Sequence, residues 1–310
     1  MAVRGDARPA AAKATGLRTE KSREARVGFA FIALPMALFL LLQIFAIFYA
    51  GYISLWDWGL RGPRDFVGLE NYIDLFTDNV FVGKAIPNTL HFAAVVVPAQ
   101  IALGLSLAVI VNQKIRGQTF FRAAFYFPAI ASSAAIVVLF TFLTQPDGLI
   151  NTALGVIGID TSINWTNDPR TALPSIELLV VWTTSGTIML FYLAALQTIS
   201  NEVYEAAAID GANWWSAFWS ITFPLLKPAH FFASAVSVIG ALQMFDQSFI
   251  AGGADGAPAN ALTTVVLYLY RATTRTFELG YAAAIGVVLL VGIMTLTLIQ
   301  RRLFGQSEAA

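Results

Sequence analysis

Side chains that could do chemistry are scarce in this chain of 310 residues, which contains no cysteine and two histidines. Without thiols there is no cysteine nucleophile or thiolate metal site, and the two histidines are far apart in sequence. We therefore expect no catalytic site and no metal site. The polar group of most interest is Asp246, which has Gln243 and Gln247 on either side of it in a stretch that is otherwise apolar from His230 to Gly253.

A carboxylate and two amides in such a stretch could exchange hydrogen bonds with the hydroxyl groups of a passing solute. Gln243 and Gln247 are four residues apart, so on a continuous helix they would share one face. The same polar group could instead hold two helices together, because polar side chains in apolar bundles serve both purposes. Both interpretations stay open from the residues alone.

A cradle for nucleotide phosphates is missing from the sequence. The pattern G-x-x-x-x-G-K-[ST] would supply it, but the only Gly-Lys pair, Gly83-Lys84, is followed by Ala85 and has no suitably spaced glycine before it. The chain is therefore predicted not to be an enzyme, and any energy for work must come from another chain or from an ion gradient.

The helices that position these residues are predicted from the long stretches of sequence without charged side chains. The chain is 57% hydrophobic and 12% charged, whereas soluble domains carry roughly a quarter charged residues. Its long uncharged runs match the roughly 20 residues that cross a bilayer as a helix. We predict an all-α integral membrane protein with six spans in a transmembrane domain at 27–303. The predicted spans cover residues 28–54, 86–112, 122–145, 178–200, 229–253 and 279–300.

The basic residues are placed asymmetrically about these spans, although the net charge is zero. Thirteen of the 19 Lys and Arg residues fall on the side of the N-terminal tail, 1–26, and the C-terminal tail, 304–310. Because short cytoplasmic loops retain positive charge, both termini are predicted to be cytoplasmic. The tail 1–26 is predicted to be disordered. No global basic field exists to hold nucleic acid, so no such partner is expected.

One predicted cytoplasmic loop, 201–228, is too long for a minimal turn. It opens with an acidic, alanine-rich helix, breaks at Gly211, and continues as a short helix rich in tryptophan and phenylalanine. Pro224 and Pro228 are expected to end that second helix. Aromatic side chains would hold the loop at the membrane surface while the alanine face packs against a partner, or the loop would be an interfacial connector without a partner. The residues alone leave both interpretations open.

The loop resembles the EAA motif in the membrane subunits of binding-protein-dependent ABC importers. The matching residues are Glu205-Ala206-Ala207, Asp210-Gly211-Ala212, Phe218, Ile221, Pro224 and Pro228. The resemblance implies a type I ABC importer permease in which this segment is a coupling helix docked on a cytoplasmic ATPase dimer. It further implies that Glu205 contacts the ATPase, that Gly211 permits the bend, and that ATP and Mg are bound by the partner. Ser200 departs from the family, which often has proline there.

Other segments resemble carbohydrate permeases of the maltose-permease type, specifically the MalF-like subunit. They are Phe66-Val67-Gly68-Leu69-Glu70-Asn71-Tyr72, Asn88-Thr89-Leu90, Phe121-Arg122, Gly148-Leu149-Ile150-Asn151, Phe245-Asp246 and Gly280-Tyr281-Ala282-Ala283-Ala284-Ile285-Gly286. The resemblance implies a heterodimer with a second, MalG-like permease, an extracytoplasmic solute-binding protein, a carbohydrate substrate, and a bacterial or archaeal cytoplasmic membrane.

Candidate residues for the substrate path are Gln243, Phe245, Asp246, Gln247 and Trp182, because aromatic rings can also stack on sugar rings. Glu177 and Glu278, at span entrances, are interpreted as interfacial charges. The alternative function is an ion-coupled secondary transporter with Asp246 as the coupling site. A scaffold without transport activity would leave both Asp246 and the EAA-like loop unexplained.

Overall fold

The computed structural model describes residues 27–113, 116–159 and 162–304. The predicted tail 1–26 lies outside these ranges, as does the C-terminal tail beyond Phe304. The chain divides after Tyr52 into two compact units. Helix α1 (Val27–Ile53) is a long apolar helix with no side chain buried and one π-helical turn at Leu40–Ile44, and its residues up to Tyr52 are the described part of the first unit.

The second unit contains two short strands and thirteen further helices among its described residues. Inner and outer refer below to the orientation predicted from the charges. The elements are β1 (Trp56–Gly59), β2 (Gly62–Phe66), α2 (Glu70–Thr77), α3 (Phe81–Asn112), α4 (Gln118–Ile130), α5 (Ser133–Leu143), α6 (Leu149–Val156), α7 (Ala172–Leu196), α8 (Asn201–Ile209), α9 (Trp214–Ala217), α10 (Phe223–Leu225), α11 (Lys227–Leu242), α12 (Asp246–Gly252), α13 (Val265–Arg271) and α14 (Leu279–Phe304).

Membrane-spanning helices form the frame, as predicted. Among the described residues, five helical segments are long and apolar enough to cross a bilayer, and a bent pair makes a sixth if it is counted as one span. The five segments are Val27–Ile53, Phe81–Asn112, Ala172–Leu196, Lys227–Gly252 and Leu279–Arg302. The predicted all-α, six-span class is confirmed, with the addition of one small hairpin.

The third span differs from its prediction as one straight helix over 122–145. It consists of α4 and α5, which meet at an angle of 92°. The two residues between them, Ala131 and Ser132, have extended backbone with ψ of 153° and 122°. Pro128 lies in the last turn of α4, where its missing N–H and its ring weaken the helix. The chain therefore turns sharply inside a stretch without charged residues.

The fifth span is also broken, which corrects the expectation that Gln243 and Gln247 share a helix face. Helix α11 ends at Leu242, Phe245 has non-helical backbone (φ −134°, ψ −59°), and α12 begins at Asp246. The buried Thr264 hydroxyl donates to the Met244 carbonyl at 2.9 Å, replacing an intrahelical partner at the break. The two glutamines consequently belong to different helical segments.

The outer end of the second unit is closed by the hairpin β1–β2 and by close approach of α14. The strands are antiparallel, and the Asn71 amide donates to the carbonyls of Ser54 and Trp56 at 2.9 and 3.0 Å. A Cβ on Gly280 would lie 2.0 Å from the same Trp56 oxygen. Only glycine fits this position, because the helix and the hairpin backbone are already in contact.

Two glycines bring the central helices together. A Cβ on Gly104 of α3 would lie 2.7 Å from a methyl group of Ile188, and a Cβ on Gly186 of α7 would lie 2.3 Å from the Phe125 carbonyl oxygen of α4. Small residues allow this close packing of helices in lipid, where van der Waals contact drives association. Helix α7 is consequently held against both α3 and α4, and it carries more of the polar residues described next than any other helix.

Candidate functional site

Two adjoining cavities lie between the central helices of the second unit, with volumes of about 170 and 250 Å³. They share three lining residues, Thr184, Thr187 and Gln247. The smaller cavity is bounded by the bend between α4 and α5, and the larger by α3, α7 and α11. The breaks in the third and fifth spans thus face a common polar wall.

Hydrogen bonds across this wall link helices that are distant in sequence. Thr184 of α7 donates its hydroxyl to Oε1 of Gln100 on α3 at 2.5 Å, and the Gln247 amide of α12 donates to the Ser133 hydroxyl of α5 at 3.2 Å. Gln100 is buried and Gln247 partly so. Hydroxyl and amide groups of this kind can exchange their present partners for the hydroxyl groups of a solute.

One buried hydroxyl on the larger cavity has no hydrogen-bond partner among the described residues. Ser237 of α11 is 5% exposed, lines the cavity, and leaves its Oγ unpaired. Burying a hydroxyl without a partner costs on the order of 1–3 kcal/mol. An unpaired group of this kind on a cavity wall is suited to a ligand that offers hydrogen-bonding groups.

The predicted substrate-path residues are only partly brought together here. Gln247 lines both cavities, but Gln243 and Asp246 are exposed, Asp246 as the first residue of α12. Phe245 packs its ring 5.1 Å from that of Tyr270, in a cluster that also holds Phe249. Trp182 lies on the outside of α7 with 54% of its surface exposed.

Sequence reasoning missed the residues that line the cavities beside Gln247. Gln100 is the amide in the middle of the second predicted span, and Thr183, Thr184 and Thr187 are polar residues in the first half of the fourth. A search for isolated polar residues in every span, and not only for carboxylates, would have found them. Their convergence depends on the packing of α3 on α7.

The predicted coupling loop has the bend that was expected at Gly211. Helix α8 ends at Ile209, and Gly211 adopts the left-handed conformation with φ of +80°. The amide of Ala212 then donates to the Ala207 carbonyl at 2.9 Å, which closes the helix end in the usual glycine-dependent way. Asn213 caps the next helix by accepting from the Ser216 amide at 2.8 Å.

Helix α8 presents one face to the protein and one to its surroundings. Ala207 is buried, and the Tyr204 hydroxyl lies 3.0 Å from that of Thr222. On the other side Glu205, Ala206 and Asp210 are exposed, and Ile209 is 87% exposed. The exposed face of α8 thus combines two carboxylates with one exposed apolar side chain.

One of the two prolines of this loop acts as predicted and the other does not. The helix that begins at Trp214 continues through a π-helical turn at Phe218–Thr222 into α10, and it ends at Leu225, one residue after Pro224. Pro228 instead lies in the first turn of α11, where proline needs no N–H partner. The loop therefore runs almost directly into the fifth span.

Glu177 is a further correction, since it is not an interfacial charge. Helix α7 begins at Ala172, so Glu177 lies within the helix, 5% exposed, with Oε1 3.4 Å from Nε2 of His91 on α3. The fourth span was predicted to start after this charge. Its true start shows that the bundle accommodates the carboxylate by burying it beside a histidine.

An acidic cavity of about 490 Å³ lies at the outer end of the second unit. There Asp78 accepts hydrogen bonds from the Tyr268 hydroxyl at 2.7 Å and from the amides of Val80 and Phe81 at the start of α3. Partial burial raises the pKa of Asp78, but these hydrogen bonds outweigh it and bring the pKa below its usual value. Among the described residues no group of acidic or histidine side chains is arranged to hold a metal ion.

Comparison with known proteins agrees with this architecture. A sequence model described as "Binding-protein-dependent transport system inner membrane component" matches residues 100–305. A probable ABC transporter permease protein, YurN of Bacillus subtilis, is 34% identical over 87% of this chain and 93% of its own. The lactose transport system permease protein LacF of Rhizobium radiobacter is 36% identical over 88% of this chain and 92% of its own.

The fold also has a counterpart among solved structures. A chain in the crystal structure of a bacterial ABC transporter involved in the import of the acidic polysaccharide alginate superposes with a TM-score of 0.80. The match covers 94% of this chain and 99% of that chain, at 21% sequence identity. The arrangement of spans described above is thus the one found in a known ABC importer.

Proposed function

The chain belongs to the family of binding-protein-dependent transport system inner membrane components, and from this premise we propose that it is the permease subunit of an ATP-driven carbohydrate importer. The observation that carries the proposal is the polar wall of Thr184, Thr187 and Gln247 shared by two cavities between the spans. A permease of this family needs such a path for its solute, and membership does not favour the ion-coupled alternative.

Carbohydrate as the substrate class is supported by the chemistry of that wall. Hydroxyl and amide groups predominate among its polar residues, and the buried Ser237 hydroxyl lacks a partner among the described residues. Neutral groups that both donate and accept match sugar hydroxyls. The names of relatives point the same way, since LacF is a lactose permease. The two cavities, of about 170 and 250 Å³, together exceed the roughly 300 Å³ at which small-molecule sites begin.

Energy is proposed to come from a cytoplasmic ATPase dimer that binds ATP and Mg, since the chain has no phosphate cradle of its own. Its docking surface is the exposed face of α8, with Glu205, Ala206 and Asp210 around Ile209. Gly211 and Ala212 set the direction of the following segment. The remaining partners are a second, MalG-like permease and an extracytoplasmic solute-binding protein.

The geometry suggests how the path opens and closes. Helices α7 and α11 line the larger cavity and lead at their inner ends to the loop that carries α8. Movement of the loop with the ATPase would change the separation of these helices, and the bends at Ala131 and Phe245 give the cavity walls positions at which they can move. Asp246 and Gln243, exposed on this chain, would face the second permease or the aqueous path.

The ATPase contact is tested by changing the exposed face of α8 in the assembled complex. Glu205→Ala is expected to lower stimulation of ATP hydrolysis by about tenfold, because a hydrogen bond to a charged group contributes roughly 1.5–3 kcal/mol. Glu202→Ala is the matched control, since Glu202 is exposed on the same helix but outside the motif. If the unmodified chain, Glu205→Ala and Glu202→Ala stimulate ATP hydrolysis equally and all co-purify with the ATPase, Glu205 does not make this contact.

A further inference from the structure

A chain of hydrogen bonds and ring contacts runs from the coupling loop into the bundle. Tyr204 of α8 contacts Thr222 through their hydroxyls at 3.0 Å, and Thr222 is followed by Phe223. The Phe223 carbonyl lies 3.3 Å from Nε2 of His230, and the two rings are 4.5 Å apart. His230 belongs to α11, so the loop contacts the fifth span at this histidine.

His230 is bound on its other side to the fourth span. Its Nδ1 lies 2.8 Å from the hydroxyl of Tyr192 on α7. Tyr192 is fully buried and His230 is 8% exposed. The Phe223 carbonyl can only accept, so Nε2 carries the proton and Nδ1 accepts from the tyrosine hydroxyl. A single neutral tautomer satisfies all three groups at once.

The positions of these residues along their helices relate the pair to the cavities. Tyr192 is eight residues from Thr184 on α7, roughly 12 Å along the helix, and His230 is seven residues from Ser237 on α11, roughly 10 Å. Thr184 and Ser237 both line the larger cavity. The pair therefore joins the inner ends of two helices whose middle parts form one cavity.

From this geometry we propose that Tyr192 and His230 are positioning residues that transmit the position of the coupling loop to the cavity walls. This rests on the proposed contact between the loop and the ATPase. When the loop moves, the Phe223 carbonyl moves with it, and His230 either keeps or loses its bond to Tyr192. Because the pair is buried, no water replaces the lost bond, so the two helices change their separation together with the loop.

The test measures how ATPase closure changes access to the cavity. The chain has no cysteine, so Thr187→Cys places one thiol on the wall shared by the two cavities. In the complete complex, its modification by a membrane-impermeant maleimide is timed with and without Mg-ATP and vanadate. Tyr192→Phe removes one hydroxyl and keeps the ring. The ATP-dependent change in modification rate is expected to fall about fivefold in this variant, while co-purification of the ATPase is unchanged.

Two further variants make the result specific. Tyr268→Phe is the matched control, because it removes a hydroxyl bonded to Asp78 at the outer end, and the ATP-dependent change is expected to persist. His230→Gln keeps one hydrogen-bond donor and one acceptor, so it is expected to retain part of the ATP-dependent change in modification rate. A full change in Tyr192→Phe would overturn the proposal. So would failure of both Tyr192→Phe and His230→Gln to assemble while Tyr268→Phe assembles, since the pair would then be structural only.

Failure of the proposed function would look different. In that case the Thr187→Cys protein without other substitutions would show no response to Mg-ATP and vanadate, or no ATPase would co-purify with it. A response in this protein that is unaltered by Tyr192→Phe contradicts the positioning role alone.

Discussion

Replacing Gly280 by alanine tests whether α14 and the outer hairpin are packed as closely as the structure shows. The new Cβ would lie 2.0 Å from the Trp56 carbonyl oxygen and 3.1 Å from the Trp58 amide nitrogen, where ordinary contact begins at 3.4 Å. Both neighbours are backbone atoms, so the hairpin must move by about 1.4 Å to relieve the shorter contact. The new Cβ would also lie 3.2 Å from Nδ2 of Asn71, so the amide that donates to both Ser54 and Trp56 must move as well.

The magnitude follows from these contacts. Overpacking costs about 1–3 kcal/mol, and loss of the two Asn71 hydrogen bonds adds about 1 kcal/mol each. The higher helix propensity of alanine stabilises the folded state by about 1 kcal/mol and so offsets part of this loss. The net loss of about 2–4 kcal/mol corresponds to a fall in Tm of roughly 5–10 °C, measured by tryptophan fluorescence in nanodiscs.

Gly292→Ala is the control, since Gly292 lies on the same helix and a Cβ added there would have no neighbouring atom within 4 Å. Alanine there is expected to leave Tm unchanged or to raise it slightly. If Gly280→Ala raises Tm as Gly292→Ala does, the result contradicts the close contact between α14 and the hairpin.

Three other changes have defined outcomes. Gln100→Leu removes the acceptor for Thr184, and solute uptake is expected to fall about tenfold with assembly intact; uptake equal to that of the unmodified chain would exclude this wall from the path. Asp78→Asn should weaken the pH dependence of Tm, because the pKa of the Asp78 carboxyl is lowered in the folded state. Such a carboxyl stabilises the folded protein above its usual pKa, and this stabilisation is lost as the pH falls through the folded-state pKa. Identical Tm profiles from pH 5 downward, roughly across the usual pKa near 4, would contradict that assignment. Asn151→Ala removes hydrogen bonds to the Gln145 and Ile163 carbonyls and to the Trp165 indole. Limited proteolysis should therefore cut the outer loop faster. An unchanged rate of cleavage would show that the loop is held by other contacts.

The spans were predictable because their signal is the length of uncharged sequence. Helices α3 and α14 lie close to their predicted positions for this reason. The breaks at Ala131 and Phe245 were not predicted, because each lies within a stretch long enough to span a bilayer and has no glycine or proline at the break itself. Glu177 was misplaced because a charge was taken to mark the end of a span, whereas tertiary contact with His91 buries it.

The motif residues were recognisable in the sequence, but their structural contacts were not. Asn88 donates to the carbonyls of Asn260 and Thr263, both at 3.0 Å, and so fastens an outer loop to α3. Gly280 is required by the closeness of Trp56. These contacts join segments far apart in the chain, which no local pattern reports. The polar wall around Thr184 has the same origin, because its members come from separate helices.

Uptake by the reconstituted complex tests the central claim most directly. The chain, its second permease, the ATPase and the binding protein would be placed in proteoliposomes and supplied with the carbohydrates that the binding protein retains. We predict uptake that requires ATP and continues after a protonophore has collapsed the proton gradient. Uptake that stops with the gradient and is indifferent to ATP would contradict the proposed function and identify an ion-coupled transporter.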